Sequence, residues 1–229
     1  MRMSLGVVAA VALLPLAAGA QVQVLDFEGI GDGNSVGNYY SGGAGPNLGV
    51  SLWGNAIAFE KYQWFITDPC LGFNIDFPAP PSGCGTLFFY TGQTGSNAGM
   101  NLASGFTNGF SFYYFPKYLT GNTVTATAYS GTYGTGTALG SLSFDIPPWT
   151  SPVSAWAPVG MTFAGTAQSV LFTNAGGALL FDNVTFGSDV PYLAPPSGGE
   201  PGTVTPEPAS LALLGTGLLA LGAGVRRKR

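Results

Sequence analysis

The stretch NTVTATAYS (122–130) carries the pattern that decides the fold. Val124, Ala126 and Ala128 alternate with threonines, so an extended backbone would place the three apolar side chains on one face. The β-branched threonines also favour a strand. We therefore predict a strand with one face on a hydrophobic core and the other face toward solvent.

Similar short runs recur along the chain, separated by Gly, Asn and Pro turn signals. Scarce lysine and glutamate and abundant Gly, Ser, Thr and aromatic residues disfavour helices between these runs. The fold class predicted from this pattern is all-β, an antiparallel β-sandwich resembling a jelly roll, over residues 21–187. The predicted strands are 22–28, 49–54, 86–90, 109–115, 122–130, 138–146, 158–165, 168–174 and 178–187.

Strict alternation in the last of these strands has a consequence for Asp182. It would place Asp182 on the same face as Leu180, Val184 and Phe186, which is apolar. A carboxylate on such a face is costly unless it is paired, hydrogen-bonded or bound to a metal. We therefore treat Asp182 as a candidate site residue.

The charge distribution excludes several classes of function. Residues 21–208 contain all eleven acidic residues but only two of the seven basic ones, Lys61 and Lys117. Such an acidic surface is a poor partner for nucleic acid, which needs basic groups. The chain contains no histidine. This excludes catalytic triads, metal sites and acid–base catalysis that depend on histidine, but not those that use carboxylates.

The two ends of the chain carry targeting signals. Residues 1–20 have a basic start, an apolar stretch and a small-residue cleavage site, so we predict a signal peptide that signal peptidase cleaves after Ala20. A Pro- and Gly-rich linker is predicted over 188–205. The last segment, 206–229, contains an apolar run at 209–225, which as a helix spans about 26 Å, slightly less than a typical hydrocarbon core, and is predicted to be a marginal transmembrane helix.

This last segment combines three elements in a fixed order. The processing motif Pro206, Glu207 and Pro208 comes first, the apolar run follows, and a basic stop cluster closes the chain at Arg226, Arg227, Lys228 and Arg229. By the positive-inside tendency the basic end stays cytoplasmic and the body is exported. The segment is either a permanent anchor or a sorting tag that is cut after brief insertion in the membrane.

The segment TPEPASLALLGTGLLALGAGVRRKR resembles the PEP-CTERM sorting signal of Gram-negative bacteria. This resemblance implies processing by an exosortase, a transient stay in the inner membrane, and delivery to the cell surface or extracellular matrix. The stretches at 26–56 and 163–188 are similar to the start and end of β-sandwich ectodomains that carry this tag. Their shape resembles carbohydrate-binding jelly rolls, and they show no signature of an enzyme family.

Two cysteines in an exported chain predict a disulfide. Cys70 and Cys84 close the short loop CLGFNIDFPAPPSGC, and two thiols are too few for a cysteine zinc site. A disulfide across such a loop is expected to stabilise the fold by about 3 kcal/mol.

A structural calcium ion is the one cofactor that the sequence suggests. The resemblance to carbohydrate-binding jelly rolls implies that Glu28 and Asp182 would join through calcium, with backbone carbonyls near Asn47 and Gly49 completing the oxygen shell. The alternative is that Asp26, Glu28 and Asp182 accept backbone hydrogen bonds and hold no metal.

Aromatic residues suggest contact with a glycan. The candidates for a stacking surface on extracellular polysaccharide are Tyr39, Tyr40, Trp53 and Trp64. The alternative is that these rings belong to the core, as large aromatic side chains usually do.

Three functions therefore stay open for the body. The first is a non-catalytic module that contacts glycans or mediates adhesion, and the second is a structural protein of a biofilm matrix without a specific ligand. The third is a glycan hydrolase that uses paired carboxylates, for which Asp26 and Glu28 share a face of the predicted first strand. We expect the protein not to be an enzyme.

Overall fold

A computed structural model describes residues 22–60, 80–90, 97–116, 121–147, 155–177 and 179–193. The predicted leader, the tail 194–229 with its apolar run, and Cys70 and Trp64 lie outside these ranges. Within the ranges, no helix has the length and apolar character needed to cross a membrane.

The described ranges form nine antiparallel strands and one short 3₁₀ turn at Thr132–Gly134. The prediction of an all-β antiparallel sandwich is confirmed. The strands are β1 (Gln23–Leu25), β2 (Val50–Trp53), β3 (Ala56–Phe59), β4 (Thr86–Phe89), β5 (Ala98–Pro116), β6 (Thr123–Tyr129), β7 (Ala138–Asp145), β8 (Ala157–Thr173) and β9 (Leu179–Phe186).

The long strands β5 and β8 connect the whole sheet. The strand order is β3-β4-β9-β5-β8-β6-β7, with β1 beside β9 and β2 beside β5. The first part of β5 pairs with β2, and its second part, from Phe110 onward, pairs with β9. The two parts of strand β5 therefore belong to different parts of the sandwich.

The β5–β8 ladder is interrupted halfway along. Its register shifts on both sides of Phe106, and the backbone is left-handed at Gly105 (φ 81°), Asn108 (φ 74°) and Gly165 (φ 93°). Bulges of this kind bend strands and increase their twist. The bend lets the two halves of the sheet face each other.

Aromatic rings fill the space between the two halves. Phe172 on β8 contacts Phe181 on β9 and Phe89 on β4, with ring centroids 5.1 and 5.8 Å apart. Neither β4 nor β9 pairs with β8, so these contacts cross from one layer to the other. Aromatic pairs at such distances stabilise a core beyond the area that they bury.

A second apolar cluster lies on the opposite face of β4, β5 and β9. Phe88, Phe115 and Leu180 are each no more than 2% exposed and pack with Ile57, Phe59 and Trp156. Both faces of the stretch GFSFYYF (109–115) are therefore aromatic and buried, with Phe112 in the main core and Phe115 in the second cluster.

The predicted strands match the structure in several places and differ in others. In β6, the alternation of buried Val124, Ala126 and Ala128 with more exposed threonines is confirmed. Strand β3 and the first part of β5 were missed. The two predicted strands at 158–165 and 168–174 are one bent strand, β8.

Alternation was wrong in β9 because of a bulge. Asn183 is left-handed (φ 46°), and two residues lie between Asp182 and Thr185 where β5 has only Phe112. The extra residue rotates Val184 and Phe186 into the main core, the face that Phe181 also occupies. Asp182 therefore does not share a face with Val184 and Phe186.

The folded body extends beyond the predicted boundary at residue 187. The hydroxyl of Ser111 donates to the Ser188 carbonyl over 2.9 Å, and the Tyr192 N–H donates to Thr185 Oγ1 over 3.1 Å. Gly109 and Gly160 make this approach possible, since a Cβ on either would collide with the Asp189 backbone. The first residues of the predicted linker are thus part of the sandwich.

Replacing Phe172 with Ala should lower the free energy of unfolding by about 3–5 kcal/mol, because it leaves a cavity where the layers meet. Urea unfolding measures the change. Tyr90→Ala is the control, since Tyr90 is 57% exposed and its loss should change stability by about 0.5 kcal/mol or less. Equal effects of the two changes would contradict the described core.

Candidate functional site

Two carboxylates that are far apart in sequence meet at Ser82. The Ser82 Oγ atom lies 2.7 Å from Asp182 Oδ1 on β9 and 3.2 Å from Glu28 Oε1 just after β1. It also lies 3.1 Å from the carbonyl oxygen of Asp26. One hydroxyl therefore links the β1 end, β9 and the segment that leads into β4.

Backbone N–H groups complete the hydrogen bonding of both carboxylates. Glu28 Oε1 accepts from the N–H groups of Cys84 (2.7 Å) and Gly85 (2.6 Å). The Asp182 carboxylate accepts from those of Ser82 (2.8 Å) and Asn183 (2.7 Å). Hydrogen bonds of this kind to an ionised acceptor are stronger than neutral ones.

Glycine is required in the segment SGCG (82–85) that makes these bonds. A Cβ on Gly85 would overlap the Phe27 carbonyl, and one on Gly83 would lie 2.9 Å from Glu28 Oε1. Gly83 also has a φ of 148°, which side chains rarely allow. The segment can therefore lie directly against residues 26–28.

Burial dominates the electrostatics of Asp182. The side chain is 0% exposed, and burial raises the pKa of its carboxyl from 3.8 to about 7, with a smaller contribution from the charge of Glu28. The hydrogen bonds from Ser82 and Asn183 act in the opposite direction. Burial and the nearby Asp182 charge also raise the pKa of Tyr113.

The structure brings together only two of the four predicted calcium residues. Glu28 and Asp182 share Ser82, but the atoms that face their oxygens are N–H and O–H donors. Calcium takes six to eight oxygen ligands, and no group of three or more acidic, His or Cys side chains suited to a metal occurs in the described part of the chain.

Asn47 and Gly49 are exposed residues of the loop before β2. Within the described ranges, the carboxylates of Glu28 and Asp182 instead accept hydrogen bonds from the segment 82–85 and from Asn183. This geometry agrees with the hydrogen-bonded alternative. Calcium binding stays a prediction, for which a calcium-dependent rise in the melting temperature is the direct measurement.

The predicted hydrolase pair does not lie on one strand. Strand β1 ends at Leu25, and Phe27 is left-handed (φ 57°). Asp26 Oδ1 turns back to accept from the N–H of Glu28 over 3.3 Å. The expected common face of Asp26 and Glu28 is therefore wrong, because the strand ends before Asp26 and the left-handed Phe27 turns the chain between the two acids.

One of the predicted stacking residues belongs to the core. Tyr40 is 1% exposed, and its hydroxyl accepts from the Phe27 N–H (2.8 Å) and lies 3.3 Å from Asp26 Oδ1. A stacking role for Tyr40 was wrong, since the ring is inaccessible. Tyr39 is half-buried and packs edge-on against Tyr40, with ring centroids 5.0 Å apart. Trp64 lies outside the described ranges.

Trp53 is half-buried and contacts a second, exposed aromatic residue. The Trp53 indole lies against the backbone of Gly99 and occupies the space that a side chain at position 99 would need. Tyr133, from the turn between β6 and β7, packs against it at a centroid distance of 5.2 Å and an interplanar angle of 52°. Tyr133 is 63% exposed. We call Trp53 and Tyr133 the aromatic pair.

Buried polar groups hold the turn that carries Tyr133. The Tyr133 N–H donates to Asn101 Oδ1 over 2.7 Å. Ser169 Oγ accepts from the Gly134 N–H over 3.0 Å and donates to the Gly131 carbonyl over 2.5 Å. Asn101 and Ser169 are 4% and 0% exposed, so each would be costly without these partners.

The backbone at Tyr133 is itself unusual. Its φ of 55° and ψ of 36° are left-handed, a conformation that costs a non-glycine residue about 1 kcal/mol or more. The surrounding hydrogen bonds offset this cost. The result is an exposed ring that is fixed beside Trp53.

Sequence reasoning missed Ser82 and Tyr133. Ser82 was indistinguishable from other loop serines, because its partners Glu28 and Asp182 lie far away in sequence. Tyr133 left a weak signal, as a single aromatic residue in the Gly-rich loop GTYGTGT (131–137).

Cys84 is not a free thiol in the structure. Its predicted partner, Cys70, lies outside the described ranges, so their pairing stays a prediction.

Comparison with known proteins identifies the C-terminal segment. Residues 204–228 match the family model of the PEP-CTERM protein-sorting motif. The match confirms the predicted sorting signal and indicates an exported protein that is transiently anchored at the membrane and processed by an exosortase. No curated protein matches the chain.

Several solved structures resemble the body distantly. The K2 cleaved adhesin domain of Lys-gingipain is 10% identical, with 73% of this chain and 99% of that domain covered and a TM-score of 0.46. CsCBM6-3 from Clostridium stercorarium, solved in complex with cellobiose, is 16% identical over 48% of this chain and 78% of its own, with a TM-score of 0.30.

A family 6 carbohydrate-binding module is 15% identical, with 72% of this chain and 92% of that chain covered and a TM-score of 0.33. These similarities are too distant to support a functional assignment.

The pKa of Asp182 predicts a pH-dependent stability. Between pH 4 and about 7 the folded chain holds a proton on Asp182 that the unfolded chain has lost, so raising the pH favours unfolding. The free energy of unfolding should fall across this window with a slope of at most about 1.4 kcal/mol per pH unit from this group.

Asp182→Asn should flatten that slope, even if it lowers the overall stability. Urea unfolding in EDTA at a series of pH values is the measurement, with Asp145→Asn as the control at an exposed acid. Parallel pH profiles for the wild-type and Asp182→Asn chains would show that Asp182 has an ordinary pKa.

Proposed function

We propose that this protein is an exported, non-catalytic β-sandwich module that contacts glycans at the cell surface or in the extracellular matrix. The observation that carries the proposal is the aromatic pair, Trp53 and Tyr133. Tyr and Trp present a large apolar surface with a polar edge, which suits the C–H face of a sugar ring and its hydroxyls.

The construction of the turn supports a binding role for Tyr133. An exposed tyrosine in a strained backbone gains nothing for the core, yet Asn101 and Ser169 use buried hydrogen bonds to hold the turn. Local strain of this kind accumulates at functional sites. A ring that is already fixed loses less conformational freedom when a ligand binds.

The carboxylates give less support to the hydrolase alternative. Glycoside hydrolysis needs two carboxyl groups that both reach the substrate. Asp182 is fully buried and, like Glu28, is occupied by the segment 82–85. These groups instead attach that segment to the sheet.

The matrix-protein alternative differs from the proposal in one respect. A structural protein without a ligand would not depend on the aromatic pair for any interaction. Binding measurements on variants of the aromatic pair therefore distinguish a glycan-binding module from a structural matrix protein.

The route to the surface follows from the two ends of the chain. Signal peptidase removes residues 1–20, and the apolar run at 209–225 holds the precursor in the inner membrane. An exosortase then recognises Pro206, Glu207 and Pro208 and releases the body to the surface of a Gram-negative cell.

Removal of the Tyr133 ring should weaken binding to polysaccharide. Tyr133→Gly is the most informative change, because glycine accepts the left-handed backbone without strain. We expect about a tenfold loss of affinity, equivalent to roughly 1.4 kcal/mol, in affinity gels that contain hydroxyethylcellulose, xylan or dextran.

Trp53→Ala should give a similar loss, while Tyr90→Ala, which removes an exposed tyrosine elsewhere, should bind like the wild type. Unchanged melting temperatures confirm that the variants fold. Equal retention of all four proteins on every gel would rule out a glycan-binding role for the pair.

The sorting route predicts the mass of the mature protein. The surface form should lack Arg226, Arg227, Lys228 and Arg229, as intact-mass spectrometry would show. Changing Pro206 and Glu207 to Ala should leave the tail attached, whereas Glu200→Ala in the linker should not. An intact basic end on the wild-type surface form would indicate a permanent anchor.

A further inference from the structure

The register of five strands aligns the aromatic pair with a row of further side chains. Trp53 pairs with Gly99, Gly99 with Leu171, Leu171 with Thr127, and Thr127 with Ser141. Directly paired residues point to the same face of a sheet. This face is the one turned away from the core, since the neighbouring row of Met100, Val170 and Ala128 is buried.

The row changes in character from one end to the other. It begins with Trp53 on β2, against which Tyr133 packs, passes over half-buried Leu171 on β8, and ends with hydroxyl groups on β6 and β7. Thr127 and Ser141 lie 3.1 Å apart, and Thr125 and Ser143, in the adjacent row, are also 3.1 Å apart. Each such pair uses one hydroxyl hydrogen internally. In the first pair, Ser141 Oγ also lies 3.5 Å from the Ala126 carbonyl, which can accept its hydrogen. The hydroxyl oxygens of both pairs, and the second hydrogen of the Thr125–Ser143 pair, are left for a ligand.

The turn that carries Tyr133 bounds the row on one side. It covers the next row, because its N–H groups are bonded to Asn101 and Ser169. A ligand that contacts Tyr133 is thereby blocked in that direction along the strands. The turn also packs against Leu171, since a Cβ on Gly134 would lie 3.2 Å from the Leu171 side chain. A ligand that runs across the strands from Trp53 toward Ser141, which is exposed on the outermost strand β7, therefore passes beside this turn and contacts the exposed Tyr133 ring.

The charge of this face selects an uncharged ligand. None of the described residues is Lys or Arg, and seven are acidic. The exposed Asp145 follows the hydroxyl rows along β7 and accepts from Thr123 Oγ1 over 2.6 Å. Among the described residues, this face offers an anionic polymer no basic side chain, and Asp145 repels it.

From these observations we infer that the row Trp53–Gly99–Leu171–Thr127–Ser141 binds an extended, neutral polysaccharide that runs across the strands. The inference rests on the proposed glycan-binding function and specifies its ligand. Four inter-strand steps of about 4.8 Å give the row a length of roughly 19 Å. A single sugar or a disaccharide fills only part of this length, so affinity should increase with chain length.

The first test compares ligands on the full chain purified in detergent. Isothermal titration calorimetry is carried out with the neutral polymers hydroxyethylcellulose, xylan and dextran and with the anionic polymers alginate and polygalacturonate. We expect binding to at least one of the neutral polymers and to neither of the anionic ones. For that polymer, a fragment of six units should bind about tenfold more tightly than one of two units, the gain that a further set of contacts would give.

The second test examines the hydroxyl end of the row. The double change Thr127→Val and Ser141→Ala should weaken binding of the six-unit fragment about fivefold, as expected for the loss of one or two net hydrogen bonds. It should leave binding of the two-unit fragment unchanged. Thr162→Val, at an exposed hydroxyl on β8 outside the row, should affect neither.

The outcomes separate the two proposals. If Tyr133→Gly abolishes binding but fragment length and the hydroxyl pair have no effect, the glycan-binding function stands and the extended row is wrong. Stronger binding of alginate or polygalacturonate than of the neutral polymers would also overturn the inference. If no polymer binds, both proposals fail.

Discussion

The bend in the β5–β8 ladder is the constraint on which the rest of the structure depends. Gly105, Asn108 and Gly165 take left-handed conformations there, and the register shifts to accommodate them. The partners of Phe172 and Phe181 on β5, Ala98 and Tyr114, would lie roughly 50 Å apart in a straight strand. The two rings nevertheless lie 5.1 Å apart, so their contact depends on the bend. One interrupted ladder thus creates both the core and the outer face on which the aromatic pair lies.

Buried polar groups serve two different loops in the same way. Asp182 and Glu28 accept hydrogen bonds from the segment 82–85, and Asn101 and Ser169 bond the turn at 131–134. Asp182, Asn101 and Ser169 are buried sheet residues that would be costly without partners, and loop backbone satisfies them. The sandwich therefore fixes the position of loops that have little apolar surface of their own.

Features of the fold that depend on the local pattern of apolar and polar residues could be predicted from the sequence. Alternation in β6 identified the buried face correctly, and the strand content gave the fold class. Alternation failed in β9 because Asn183 inserts an extra residue, which no local propensity reveals. Tyr40 was misassigned and Tyr133 missed for a related reason: their exposure depends on contacts with Asp26, Phe27 and Asn101 that are distant in sequence.

The packing of residues 188–192 over Gly109 and Gly160 sets how far the body can stand from the membrane. If the chain were free from residue 187, a fully extended connection to Pro206 would reach roughly 65 Å. With Tyr192 bound to the sheet, the maximum falls to roughly 50 Å. A precursor held in the membrane by its C-terminal segment would thus keep the sandwich within roughly 50 Å of the bilayer until its release.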